Sequence, residues 1–227
     1  MKGIKFVLYG AVSAIFLLLA LSVLFDVIHQ IFFPVNKNIT CWNNMSLYLW
    51  TTIGMGVYVI IHKFAKKNLE LMQCFSHEMS HFILAILFLR KILSFHVDVE
   101  GGVVWTSGKS NIGVVPMTLV PYCLPWMTFL LLMFRSLVLA EYYWIFDILI
   151  GITLAFHIAT MKEQTRADQP DIYSNPLWFS YLYIWCARIM NIVIILVTYW
   201  ESKNFFTSIW FLFENCFVKA FSMLYFI

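Results

Sequence analysis

Along the chain, apolar side chains come in long blocks separated by short clusters of charge, and the spacing of those clusters predicts the elements. A first block covers 6–25, behind Lys2 and Lys5, and a second covers 45–61, ending at His62, Lys63, Lys66 and Lys67. A third, 71–89, is closed by Arg90 and Lys91. The stretch 114–161 is broken at Arg135 and Glu141, leaving room for two crossings of about 20 residues each. Blocks at 177–200 and 205–227 bring the number of apolar runs to seven. Such runs are apolar all round, which argues for helices whose surroundings are apolar on every side.

Two stretches depart from that pattern. Between 94 and 113, Phe95, Val97 and Val99 alternate with His96, Asp98 and Glu100, before Gly101-Gly102 and Val103-Val104-Trp105. Alternation around a glycine pair predicts a β-hairpin. A second turn is expected at Gly108-Lys109-Ser110-Asn111, whose GKS triplet lacks the upstream glycine of a phosphate loop. In the fourth run, Pro116, Pro121 and Pro125 predict a kinked helix with an opened hydrogen-bond ladder. Gly54 and Gly56 predict close helix packing in the second. Polar loops are expected at 34–44 and 162–176.

Composition turns these runs into membrane spans. Hydrophobic residues make up 62% and charged residues 12%, against about 25% charged in a soluble domain. The expectation is one all-α integral membrane domain over 1–227, with six to seven transmembrane helices and a β-hairpin after the third. Lipid is then its first partner. A net charge of +3 with no basic patch gives no case for nucleic acid. The first run is too long for a signal-peptide core and is not followed by a small-residue cleavage site, so it reads as an uncleaved span. Seven Lys and Arg inside against six outside lean the N-terminus to the cytoplasm. The short, aromatic-rich spans suggest a bacterial inner membrane. Five scattered cysteines without a CxxC pair suggest neither a disulfide framework nor a thiolate metal site. Sequons at Asn38 and Asn44 carry little weight.

The third run holds the candidate chemistry, His77-Glu78-Met79-Ser80-His81. Residues four apart share a helix face, so both imidazoles can grip one zinc ion while Glu78 stands beside it to take a proton from water. Ionisable groups inside a span are costly and point to function. A catalytic zinc usually has a third protein ligand. Depth favours Asp147, which lies as far into the fifth run as His77 lies into the third if the intervening spans cross fully. Asp171 is the alternative, reachable only if the Pro-rich fourth span is re-entrant or the fifth is broken, and His157 is a third candidate. Other fates are open. Asp147 can pair with Arg188, Asp171 can cap the sixth helix, and His96 can sit on the polar hairpin face. Glu214 and Lys219 can neutralise one another, while Asp26, His29 and Gln30 can form an interfacial turn.

The pentad on a membrane helix, followed by a Gly-Gly hairpin, a Pro-rich span and a later acid, resembles the M50 group of site-2-protease-like intramembrane metalloproteases. The likeness covers about 71–172 and is nearest to small bacterial M50-type proteins that lack added domains. It implies a zinc-dependent endopeptidase cleaving single-span or membrane-anchored protein substrates, with His77 and His81 as ligands and Glu78 as general base. The family's third ligand is an Asp in an Asp-Gly motif. Here Asp147 is followed by Ile148-Leu149-Ile150-Gly151, and Pro170-Asp171 by Ile172. The other reading is a non-proteolytic polytopic membrane protein, whether an inactive homologue, a metal-binding sensor or a transporter component. For a peptidase, the 95–105 hairpin is the candidate edge on which a substrate unwinds by strand addition.

Overall fold

The computed structural model describes residues 2–33, 45–98, 101–107, 113–200 and 205–224. The 34–44 loop with its sequons and the 108–111 turn lie outside them. The chain is mostly helical: α1 (Lys2–Phe32), α2 (Met45–Phe64), α3 (Lys66–Leu87), α4 (Val114–Leu119), α5 (Trp126–Arg135), α6 (Tyr143–Gln164), α7 (Pro170–Tyr173), α8 (Leu177–Trp200) and α9 (Phe205–Leu224). A two-stranded antiparallel sheet, β1 (Lys91–Val97) and β2 (Gly102–Ser107), follows α3.

Among the described residues, three helices are long and apolar enough to cross a membrane: Ile4–Phe32, Ala140–Gln164 and Leu177–Tyr199. A fourth crossing arises only if Val114–Tyr122 and Trp126–Arg135 count together, and that pair is bent by 83°. The expected count of six to seven spans is therefore not confirmed, while the bend falls in the Pro-rich fourth run where a kink is expected. The pentad run is not among the three because Glu70, Gln73, His77, Glu78 and His81 lie within its most apolar stretch. The outer surface is apolar all the same, with Leu18, Phe25 and Trp210 exposed.

The core forms where α1, α5, α6, α8 and α9 meet, around Leu19, Val23, Leu132, Ile150, Val193 and Leu212. Helices α2 and α6 approach backbone to backbone. A Cβ on Gly54 would overlap the Ile148 carbonyl, and one on Gly151 would overlap that of Thr51. Glycine is required there because no side chain fits between the two helices. Gly56, expected to share that role, has open space around it. Lys219 pairs with Asp26 of α1 at 2.6 Å, so its partner lies across the helix interface, not at Glu214 on its own helix. Asp26 is thus an ion-pair partner and not simply part of an interfacial turn.

Helix α3 stops sharply. Arg90 N–H reaches the Ala85 carbonyl and Leu89 N–H that of Ile86, a two-bond closure that needs a left-handed residue between them. That residue is Leu89, at φ 53° and 94% exposed. Leu89→Gly is expected to raise stability by about 1 kcal/mol, since the left-handed conformation penalises a side chain and little packing is lost. Thermal unfolding in detergent checks this, and a lowered midpoint would count against it.

The hairpin forms as expected, but its turn is shifted. Asp98 N–H donates to the Gly101 carbonyl, and Gly101 N–H donates to Asp98 Oδ1 at 2.9 Å. Asp98 and Gly101 thus face one another where the hairpin closes, and Gly102 belongs to β2, opposite Val97. Gly102 is needed for a different reason. A Cβ there would lie 3.0 Å from Glu78 Oε1 and overlap the side-chain carbons. The hairpin backbone rests directly on the glutamate of the pentad.

Candidate metal centre

One helical turn separates His77 from His81, and both Nε2 atoms converge on one oxygen, Asp171 Oδ2, at 3.2 Å each. The three ligand atoms lie within 4.8 Å of one another. Ligand atoms about 2.0–2.2 Å from a tetrahedrally bound zinc lie about 3.3–3.6 Å apart, close to the spacing seen here. Glu78 is buried beside them and lines the same cavity, of about 420 Å³, together with β2 and Pro170.

The far side of each imidazole is also occupied. His81 Nδ1–H donates to the Met117 carbonyl at 2.6 Å, and His77 Nδ1–H donates to Gln164 Oε1 at 3.1 Å. A backbone carbonyl can only accept, so His81 carries a proton on Nδ1 and leaves Nε2 facing inward. The Gln164 carbonyl does the same for His77. Asp171 supplies the third inward atom. Burial pushes its carboxyl up, but the contacts with His77 and His81 outweigh that and hold it well below the usual carboxylate range. The three inward atoms converge on a point that a shared cation would occupy. The donor set, two imidazoles and a carboxylate with oriented outer partners, fits zinc.

The supporting carbonyl has a local cause. The Met117 C=O would accept from the amide four residues on, but that residue is Pro121, which has no N–H. The proline thus frees the acceptor that orients His81. Carbonyls released nearby are taken up by α8, with Arg188 Nε donating to Tyr122 O at 3.0 Å and Asn191 Nδ2 to Cys123 O at 2.7 Å. Tyr122 is fully buried, and its hydroxyl donates to Asp171 Oδ2 at 3.4 Å. Asp171 itself is fixed by α7, where Ile172 is buried against Leu119, Tyr122 and Ile184, and Ser180 Oγ–H holds the Ile172 carbonyl at 2.9 Å.

Asp147, the residue favoured on depth, lies elsewhere. It accepts from Arg135 Nε at 2.7 Å and Nη2 at 3.5 Å and is only 2% exposed. The helix bearing it reaches His77 through its other end, at Gln164. Seventeen residues at 1.5 Å each put Asp147 about 26 Å along α6 from that contact. The depth argument assumed a full crossing between α3 and α6. Instead α4 lies beside the pentad, the bend follows, and only the ten residues of α5 lead away before α6 returns. The alternative fate of Asp147, an ion pair, is met by Arg135 and not by Arg188. His157 faces a different cavity, and His96 pairs with Asp98 at the hairpin tip.

The residues that sequence reasoning missed are Gln164, Tyr122 and Gly102. Gln164 and Tyr122 are single uncharged polar groups with no motif around them, and Gly102 looked like part of the turn. Gln164→Leu is expected to weaken zinc binding roughly 10–100-fold, as for other outer-shell partners, with Gln164→Glu restoring most of it. Competition titration against a chromophoric chelator measures both.

No protein-family model, curated protein or solved structure gives a match to this chain.

Proposed function

We propose that this chain is a multi-pass membrane protein and a zinc-dependent endopeptidase that cleaves transmembrane or membrane-anchored protein substrates. The observation that carries the reading is the convergence of His77, His81 and Asp171 with both outer imidazole nitrogens already committed. His77, His81 and Asp171 would hold the ion, leaving a position open. When bound, zinc polarises a carbonyl and acidifies water.

The chain's own groups supply the rest. Strand β2 borders the cavity through Gly102, Val103, Val104 and Thr106 and has no neighbour other than β1 among the described residues. A substrate segment added along that edge would leave its helix and present its backbone at the site. Glu78 takes the proton as water attacks the scissile carbonyl carbon, then passes it to the amine nitrogen as the C–N bond breaks. Its burial under Gly102 keeps the carboxylate fixed for both transfers. The Tyr122 hydroxyl, already aimed at Asp171, steadies that carboxylate.

Glu78→Gln is expected to keep about one zinc per chain and to lose cleavage of single-span reporter proteins in proteoliposomes by the 10²–10⁴-fold typical of a missing general base. Zinc analysis and fragment mass spectrometry measure the two halves. Zinc binding with no cleavage by the wild type would instead favour the metal-binding membrane protein without peptidase activity, and full cleavage by Glu78→Gln would overturn Glu78 as the base.

A further inference from the structure

A cavity larger than the metal site lies elsewhere, a groove of about 640 Å³ between α6 and α8, within the roughly 300–1,000 Å³ range of pockets that bury a drug-sized ligand. The two helices run antiparallel, and polar or ring contacts close each end of the groove. At one end Arg188 Nη2 donates to Thr165 Oγ1 at 2.7 Å. At the other, Arg135 lies over the Tyr199 ring while paired with Asp147.

Between those ends the lining changes character. Near Thr165 it consists of Lys162, Arg188, Tyr181 and Trp185; towards the other end it becomes Leu154, Ile158, Ile195 and Leu196. No acidic side chain lines it. Arg188 has no carboxylate partner among the described residues, only the Tyr122 carbonyl, the Thr165 hydroxyl and the Trp185 ring at 5.4 Å. Lys162 is exposed, while its neighbour Glu163 turns away to Gln73 at 2.9 Å. The groove is therefore cationic at one end, apolar at the other, and uncompensated. Neutral partners orient the guanidinium but leave its charge unbalanced in an apolar setting, which favours an anion there.

We propose that this groove is a binding site for one anionic phospholipid, its phosphate on Arg188 and Lys162 and an acyl chain along Leu154, Ile158, Ile195 and Leu196. Basic pockets between membrane helices bind such headgroups. A choline headgroup would bring a second cation to a place with no acid to receive it, so the site selects by charge. The proposal is independent of peptidase activity, because its test reads lipid contact alone.

Trp185 lines the groove and is half exposed, which makes it the reporter. The full chain is reconstituted in phosphatidylcholine vesicles carrying a minor, equal fraction of brominated phosphatidylglycerol, brominated phosphatidylcholine or brominated oleate. The Trp185 signal is the fluorescence of wild type minus that of Trp185→Phe. Brominated phosphatidylglycerol should quench that signal with roughly tenfold or greater preference over brominated phosphatidylcholine, and each of Arg188→Gln and Lys162→Gln should cut the preference roughly fivefold. If Arg188→Gln fails to fold, Lys162→Gln decides alone. Equal quenching by the two phospholipids, or a preference unchanged in Lys162→Gln, would overturn the proposal. Oleate quenching as strongly as phosphatidylglycerol would overturn it too, assigning the groove to a free fatty acid.

Discussion

Asp171→Asn is expected to remove high-affinity zinc binding, while Asp147→Asn leaves it intact. In the first variant, the only oxygen that both Nε2 atoms face at 3.2 Å becomes part of a neutral amide. The loss should exceed the roughly 10–100-fold attached to an outer-shell partner, because a charged ligand is removed outright. The apo protein should tolerate the change, since an Asn side chain can still hydrogen-bond an imidazole nitrogen at that position. Zinc content after dialysis, together with thermal unfolding with and without a chelator, tests both points. Wild type should lose stability on chelation, by about 2.7 kcal/mol if zinc was present at a hundred times its Kd, and Asp171→Asn should not respond. Zinc retained by Asp171→Asn and lost by Asp147→Asn would reverse the assignment.

The second large effect belongs to the displaced candidate. Asp147→Leu leaves the Arg135 guanidinium buried without its anion, and breaking a buried pair from one side costs about 3–5 kcal/mol. Arg135 would retain only its position 4.1 Å from the Tyr143 ring centre and its looser approach to Tyr199. Replacing both partners, as in Arg135→Met with Asp147→Leu, should recover most of that loss, because two charges no longer need compensation. Unfolding of the two single variants and the double variant in detergent gives the coupling energy directly. Simple additivity would show that the pair is not what holds α5 against α6.

The two acids show where sequence reading stops. Apolar composition, the shared face of His77 and His81, the hairpin and the proline break were all legible locally, because each depends on a few neighbouring residues. A glycine in van der Waals contact with a distant side chain is not legible in that way, and Gly102 was misplaced in the turn for that reason. Gln164 and Tyr122 acquire their roles only through residues far away along the chain.

By itself, the sequence determined that the chain is helical and strongly apolar, that two histidines and a glutamate share one turn of helix, and that Pro121 would free a carbonyl nearby. Those are consequences of side-chain chemistry and helical period. The third member of the cluster was decided by tertiary structure alone. Prolines say that a helix breaks but not by what angle. The 83° bend after Tyr122 keeps α4 against the pentad and makes α6 return end first, with Gln164 at His77 and Asp147 far off. Asp171, on the short helix that follows, is then the acid brought to the two imidazoles.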